Sequence, residues 1–559
     1  MEPRVSQNGS METYHQQMAQ EYENILLSDE DRIPGQWNTL GPVTGTTGPL
    51  AELGIITSLL VEDDQNIYAG TGASGLFVTH NGGTTWTSLT DKYLITGIES
   101  IIKVNPDTIY IATGFDTWGK VYSKGVMRSV NNGLSWQNTA LDSDYLGGQP
   151  FSVRGMVIDP GNSQVLLALV QQEYRKSVKI AKTVDRGEHW IDTYSETGNE
   201  RDLRKIEYDP FNSHRIMASG RFLLISNNNG DSWQEITQRI PYNDETGQYT
   251  IERITTSFHP TIQGRILVML KKYKGVYTDS FVEFYISGDG GENFTKCQYM
   301  PPLPINSASL SEDKFELEWS LSNDHHFYAR GIALAKFSLN SYNEIFDLTL
   351  PYHCFHDDVR FLKLYKINGD DPNGESRYLD VLYVGNDGGI TKGIENTETG
   401  MDWIDISGSG LNITQYYGLA INENEPGFYL GGTQDGNLFF HTDDLWYNRG
   451  NIGDGGEAVI DYDDPNNIYM VRFCGYEYLY ESKDHGLTWH YLATGMPGEG
   501  SERRNDAPLE MSKTDPSVLF VGGRDIYKSY DDNGHLIFEK IGDWDETMSF
   551  FKSIRVVVV

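Results

Sequence analysis

The stretch Thr79-His80-Asn81-Gly82-Gly83-Thr84-Thr85-Trp86 (THNGGTTW) decides the fold, because the chain repeats it. It returns as Ser129 to Trp136 (SVNNGLSW), Thr183 to Trp190 (TVDRGEHW), Ser226 to Trp233 (SNNNGDSW), Ser287 to Phe294 (SGDGGENF) and Ser482 to Trp489 (SKDHGLTW). A degenerate copy reads Asn396 to Trp403 (NTETGMDW), and another with extra residues lies near Ser529 to Phe538. The shared pattern is Ser/Thr-x-Asp/Asn-x-Gly-x-Thr/Ser-aromatic. An Asx side chain can bond backbone amides a few residues on, and glycine supplies a left-handed position, so the pattern spells a tight hairpin. The closing aromatic starts the next strand and packs between layers.

Working outward, a second mark runs in step with the first: Asn105-Pro106, Asp159-Pro160, Asp209-Pro210, His259-Pro260, Asp464-Pro465 and Asp515-Pro516. Each follows one short apolar strand and precedes another. The unit is therefore strand, Asx-Pro turn, strand, Gly-rich turn, strand, Asx hairpin, strand, or four strands in about 50 residues, which is a β-propeller blade. The closing residues Trp86, Trp136, Trp190, Trp233 and Phe294 keep that interval. The longer gaps before Trp403 and Trp489 each leave room for one blade without a hairpin motif, around Phe315 to Leu339 and around Tyr429 to Trp446.

The expected fold is thus all-β, about ten four-stranded blades. Rings usually close with four to eight blades. The reading is a seven-bladed ring at 36–410 and a partial second ring at 411–559, of about three blades plus a truncated strand (Phe551 to Val559). A single ten-bladed ring is the alternative. Residues 1–35 form a leader in which Tyr14, Met18, Tyr22, Ile25 and Leu26 fall at helical spacing, predicting a short amphipathic helix over 11–27.

Composition bounds the function. Lys plus Arg number 44 against 79 Asp plus Glu over 559 residues, a formal charge of -35. Such a surface repels phosphate backbones and anionic lipid, which argues against a nucleic-acid partner. No apolar run is long enough for a transmembrane helix. Cys297, Cys354 and Cys474 lack the spacing of a disulfide framework or a thiolate zinc site. No cofactor motif is present; Gly431-Gly432-Thr433, for instance, lacks the Lys-Ser/Thr ending of a phosphate loop. Neither a metal site nor a cofactor is expected, and the chain is expected to be a monomer.

The hairpin pattern resembles the Asp-box, or BNR repeat, of sialidases, sortilin-type receptor domains and xyloglucan-cleaving glycoside hydrolases. The series His356-Asp357-Asp358, Tyr383 to Ile390 (YVGNDGGI), Gly410-Leu411, Gln415-Tyr416-Tyr417, Gly431 to Gly436 (GGTQDG) and Gly453-Asp454-Gly455 resembles secreted bacterial propellers of Bacteroidetes type. The likeness covers roughly residues 36–545. It implies an extracellular or cell-surface location, an internal start at Met1, and boxes that build structure rather than catalyse. On that view Asn81, Trp86, Asn131, Trp136, Asp185, Trp190, Asn228, Trp233, Asp289, Phe294, Asp484 and Trp489 are structural. The use of Asn in three boxes agrees, since a turn accepts either Asx and a general acid does not.

No complete catalytic set is legible. Arg32-Ile33-Pro34 matches part of a sialidase signature, but in front of Gly35-Gln36-Trp37 rather than in a strand. The xyloglucanase resemblance implies an aspartate in the first blade within Thr-Asp-x-Gly-Gly, and here Gly72 of Thr71-Gly72-Ala73-Ser74-Gly75 takes that place. A carboxylate pair could still come from Asp387, Asp435 and Asp454, each beside glycine in a loop, although Gly-flanked acids are commonly turn formers. His356 and Asp358, one residue apart on a strand, would point to one face. With Gln434, Tyr416 and Tyr417 they make a candidate ligand-binding set. Asp461-Tyr462-Asp463-Asp464 alternates carboxylates but lacks the rest of a calcium loop. The leading expectation is an exported acidic propeller that binds glycan or protein on its central face. The alternative is a polysaccharide-acting glycoside hydrolase.

Overall fold

The structure, a computed structural model, describes the chain from residue 53 to 542 apart from short loop stretches, the longest being 115–122, 300–314, 349–355 and 493–507. The expected leader helix and the terminal strand Phe551 to Val559 lie outside the described residues, as do Asp357, Cys354 and Cys474. Apart from one 3-10 turn at Thr237–Arg239, the described elements are strands, arranged in ten antiparallel sheets. Each takes four consecutive strands in chain order; the sixth gains a fifth strand, Gln298–Tyr299, parallel to Glu344–Leu348. The protein is a multi-bladed β-propeller. Among the described residues no helix is long and apolar enough to cross a membrane.

The chain divides into two compact units, one built on Ile55–Leu411 and the other on the described residues from Asn412 onward. The first holds blades 1 to 7, whose first strands are Ile56–Val61, Ile98–Lys103, Phe151–Asp159, Leu203–Asp209, Thr250–Phe258, Glu316–Trp319 and Phe361–Asp370. The second holds blades 8 to 10, opening with Tyr416–Ile421, Gly455–Ile460 and Leu509–Met511.

Within the first unit the core lies between neighbouring sheets rather than within any one of them. One cluster joins Tyr68, Leu76 and Val78 of blade 1 to Ile98, Ile101, Ile109, Ile111 and Met127 of blade 2. The next joins Tyr110, Ala112 and Val126 of blade 2 to Val153, Leu166, Ala168 and Val170 of blade 3. Both faces of the middle strands are covered, so they read as apolar runs instead of alternating patterns. Blade 7 closes on blade 1. The amides of Gly408 and Ser409 donate to the carbonyls of Gly83 and Thr84 (2.9 and 3.1 Å), and the Trp86 amide donates to Ser409 O (2.7 Å). A Cβ on Gly408 would stand 2.1 Å from Gly83 O, so the seam requires glycine there.

The repeated hairpins share one wiring. In the box of blade 2 the Ser129 hydroxyl donates to Asn131 Oδ1 (2.9 Å) and accepts the Gly133 amide (2.8 Å), while Asn131 Oδ1 takes the Ser135 amide (2.9 Å). The same three bonds recur around Asn81, Asp185, Asn228, Asp289 and Asp484. The closing Trp then bonds the previous blade: Trp86 Nε1 to Ile406 O, Trp136 Nε1 to Leu89 O and Trp233 Nε1 to Thr193 Oγ1, at 3.0 to 3.1 Å. The cation ahead of a box clamps the following one. Arg128 donates to Arg186 O and Glu188 (3.0 and 2.9 Å), and Lys182 to Asn229 O and Asp231 (2.7 and 2.6 Å).

Two expected copies are not boxes. At Asn396–Trp403 the two strands pair without a break, Asn396 opposite Gly400 and Trp403 opposite Gly393, so the aromatic lies mid-strand. Near Ser529 to Phe538 the strands likewise form one continuous hairpin, with Asp532 opposite His535. The Asx-Pro turns do form: Asp159, Asp209, Asp464 and Asp515 each accept the amide two residues on at 2.8 to 3.1 Å. In the fifth blade His259 does the same work. Its Nδ1 accepts the amides of Thr261 and Ile262 (3.2 and 3.1 Å), which places the proton on Nε2, donating to Asp324 O (3.0 Å).

Candidate functional site: an axial belt of bulged residues

In blades 2 to 5 the turn between first and second strands, which carries the Pro, and the box hairpin between third and fourth share one face of the ring. The first strand starts at the opposite face, where the turn between second and third strands also lies. On that opposite face the first five blades carry the same irregularity. Strand pairing skips one residue near the start of each first strand, between Ile56 and Ser58, Ile98 and Ser100, Val153 and Gly155, Leu203 and Lys205, and Ile251 and Arg253. The bulged residues are Thr57, Glu99, Arg154, Arg204 and Glu252. A bulge re-aims its side chain and increases local twist, and bulges gather at barrel rims and next to active sites.

These side chains link blade to blade. Thr57 and Ser58 hydroxyls both donate to Ile98 O (2.5 and 2.8 Å). Arg154 meets Glu99 at 3.2 Å. Asp202, fully buried just ahead of blade 4, accepts from Arg204 (2.9 Å) and from Arg253 of blade 5 (3.1 Å). Burial alone would raise the Asp202 carboxyl, but Arg204, Arg253 and Arg154 outweigh it and hold it well below the usual carboxylate range. Lys271 sits 3.0 Å from Glu252. Farther along the strands, Lys205 reaches from blade 4 to Glu318 and Leu317 O of blade 6 (3.0 and 3.1 Å) and approaches Glu207 at 3.7 Å. Burial pushes the Glu207 carboxyl up to about 7 against the opposing pull of Lys205. Arg330 pairs with Glu316 (2.5 Å) and donates to Val359 O at the start of blade 7 (3.2 Å).

The expected site residues divide between the two units. In the first, His356 and Asp358 precede the first strand of blade 7 instead of lying on a strand as expected, and Asp387 lies in the turn between its second and third strands, so all three belong to the belt's face of the ring. Carboxylate oxygens of Asp358 and Asp387 come within 4.8 Å of one another. Asp387 is buried, and Arg360 grips it from both Nε and Nη2, the latter at 2.6 Å. Asp358 takes a left-handed backbone (φ 67°), as a turn-forming acid does. That pair is close enough to share a cation, but a guanidinium already holds one member. In the second unit Asp454 accepts the Asp435 amide (3.0 Å), and Asp435 is again left-handed (φ 55°). The Gln434 amide donates to Gln415 O (3.0 Å). Tyr417 is the bulged residue of blade 8. The Tyr416 ring lies where a Cβ on Gly431 would stand, 2.3 Å from its Cδ1, so Gly431 is glycine to admit the ring. Asp461 accepts the amides of Asp463 and Asp464 (2.8 and 3.1 Å), a turn rather than a calcium loop.

Sequence reasoning missed Glu99, Arg154, Asp202, Arg204, Glu252 and Arg253. A signal existed. The five first strands contain Ile-Thr-Ser-Leu, Ile-Glu-Ser-Ile, Val-Arg-Gly-Met, Leu-Arg-Lys-Ile and Ile-Glu-Arg-Ile at one position. Two residues between apolar neighbours break the period of two, and a repeated break in phase is the mark of a repeated bulge.

No family model matches the chain, and no curated protein does either. Among solved structures, an ancestral GH74 enzyme is similar over 91% of this chain and 72% of its own, with 13% identity and a TM-score of 0.61. The GH74 xyloglucanase from Xanthomonas campestris (15% identity, 90% and 87% covered) has a TM-score of 0.33. YCF48 bound to D1 peptide (16% identity, 64% and 98% covered) has one of 0.39. The last two carry no argument at those scores, and the first shows a shared fold alone: this chain is built like a GH74-type propeller.

Proposed function

We propose that the protein is an exported β-propeller that binds a glycan at the axial mouth of its seven-bladed unit, on the face where the bulged residues lie. The observation that carries this reading is the belt itself. Five consecutive blades depart from regular pairing at one height, and each departure adds one side chain, four of the five ionisable. Regular strands would pack the axis with apolar side chains at no desolvation cost. A belt of charged groups spends stability there, as binding surfaces do. Export rests on the resemblance to secreted propellers. The unit from Asn412 onward is read as part of a second ring, and the chain as a monomer.

A second reading, polysaccharide hydrolysis, is favoured by one specific observation. Asp358 and Asp387 approach the separation of about 5–5.5 Å that a retaining glycosidase needs, on a fold shared with a GH74 enzyme. The test is a panel of plant, algal and host polysaccharides offered to the wild-type chain, Asp358→Asn and Asp387→Asn. Retention on one polysaccharide without new reducing ends supports binding. Release that disappears in both variants while retention persists replaces it with hydrolysis. Failure to retain or cleave any member of the panel rejects both.

A further inference from the structure

On the opposite face, between blades 2 and 3, lies a half-open groove of about 540 Å³. Asn105, Arg128, Val130, Gln164, Arg186 and Glu188 are among the residues that line it. Its size falls in the range of small-ligand pockets, about 300–1,000 Å³.

The groove coincides with an exception in the repeat. The fourth position of every described box is left-handed: Gly82, Asn132, Arg186, Asn229, Gly290 and His485, with φ from 55° to 76°. Glycine and asparagine tolerate that backbone best, and arginine is a costly choice. In blade 4 the occupant closes the gap between blades, Asn229 donating to Asp159 Oδ2 (2.6 Å) and accepting from Tyr208 (2.7 Å). In blade 2 Asn132 likewise accepts the Tyr68 hydroxyl (2.8 Å). At Arg186 the backbone makes the closure instead, its carbonyl accepting the Tyr110 hydroxyl (3.1 Å), and the side chain is left out of it. It is exposed, and among the described residues its guanidinium enters no ion pair. The acids beside it are engaged: Glu188 with Arg128 (2.9 Å), Asp185 with its own box and with His189 Nδ1 (2.7 Å). A cation left without a carboxylate is conspicuous in a chain of net charge -35.

We propose that this groove binds a carboxylate-bearing sugar, with the Arg186 guanidinium taking the carboxylate. A planar fork of N–H donors matches a carboxylate geometrically. Asn105 and Gln164 offer amides that both donate and accept, as sugar hydroxyls require, and Glu188 adds an acceptor. Val104 and Val130 supply an apolar wall for the C–H face of the ring. The site is separate from the axial mouth and shares none of its residues.

The experiment is calorimetric titration of the full chain with a trimer of galacturonic acid, its methyl ester and tri-glutamate. Arg186→Asn installs the residue that blades 2 and 4 use, so it is expected to melt at the same temperature or higher. Its affinity for the trimer is expected to fall at least about tenfold, and the methyl ester to bind wild type at least about tenfold more weakly. The proposal is overturned if the trimer does not bind wild type, or if Arg186→Asn or the ester binds unchanged. It is overturned as to ligand class if tri-glutamate matches the trimer. Trimer binding lost in Asp387→Asn but kept in Arg186→Asn would move the ligand to the axial mouth, which removes this site and leaves the axial reading standing.

Discussion

Asp64 of blade 1 accepts a 2.6 Å hydrogen bond from the Tyr383 hydroxyl of blade 7, and Lys392 of the same blade meets the same oxygen at 2.8 Å. The first and last blades of the ring are thereby latched across more than 300 residues of chain, while at the other end of the first strand Ile56 packs against Gly385. Lys392 and Tyr383 both hold the Asp64 carboxyl below the usual range.

The latch sits where the Asp64 side chain is largely exposed, so its worth is modest. Asp64→Ala is expected to lower stability by about 1 kcal/mol. Tyr383→Phe should cost a similar amount. The double variant should cost less than the sum of the two, because both remove one interaction. Thermal melts of the three variants check this, and strict additivity would show that the two residues do not cooperate at the seam.

The boxes make a contrasting prediction. In blade 4 Asn228 Oδ1 takes the Ser232 amide and the Ser226 hydroxyl, and an aspartate supplies the same acceptor in blades 3, 5 and 9. Asn228→Asp should therefore be close to neutral, and Asn228→Ala should cost about 1–2 kcal/mol by leaving turn amides unpaired. Neither should change polysaccharide retention, since Asn228 lies on the face opposite the axial mouth and does not line the groove between blades 2 and 3. Loss of retention in a folded Asn228→Ala protein would place function on the boxes.

Glu207 gives a pH dependence of defined sign. Its carboxyl is raised to about 7 in the folded chain, from an unfolded value near 4.5. Between those values the native state holds a proton that the unfolded state has released, so this group's contribution to stability falls as pH rises through about 4.5–7. Glu207→Gln cannot ionise and should remove that slope. Melting temperatures of wild type and variant at pH 5 and pH 8 check it. The variant should gain relative to wild type at pH 8, by about 1–3 kcal/mol, and a gain confined to pH 5 would reverse the sign and refute the assignment.

The blades were legible because a hairpin is local: Ser129, Asn131, Gly133 and Trp136 lie within eight residues, and their chemistry names their bonds. The misread copies, Asn396 to Trp403 and Ser529 to Phe538, show the limit of that logic. A glycine followed by an aromatic fits a two-strand ladder as well as a box, and only the register separates them. The belt was written in the sequence as a repeated break in alternation, but its meaning depends on which strand is innermost. Asp202 was invisible in a different way. Its partners Arg204 and Arg253 are neighbours only after blades 4 and 5 stand side by side, and no spacing rule spans that distance. Asp435, read as a Gly-flanked turn former, has the left-handed backbone such a residue adopts, a local property; Asp358, expected on a strand with His356, instead takes a left-handed turn ahead of the strand, which its non-glycine neighbours did not signal.

Asp202 also carries the sharpest test of the belt. It is fully buried between Arg204 and Arg253, and both guanidinium groups donate to its Oδ2. Removing a buried ion leaves its partners' charges uncompensated, which typically costs about 3–5 kcal/mol. Asp202→Asn preserves size and one acceptor oxygen but not the charge, so it isolates the electrostatic part. Its melting temperature should fall well below wild type in low salt and recover only in small part as chloride is added, because the two uncompensated guanidinium groups are largely buried and salt screens buried charges weakly. If the belt is only a filler of the axis, that variant should retain polysaccharide as well as wild type does while it is folded. If the belt forms the binding floor, retention should stay weakened even where the variant is folded. The two readings therefore part at one measurement, retention of folded Asp202→Asn, compared with wild type in the same buffer.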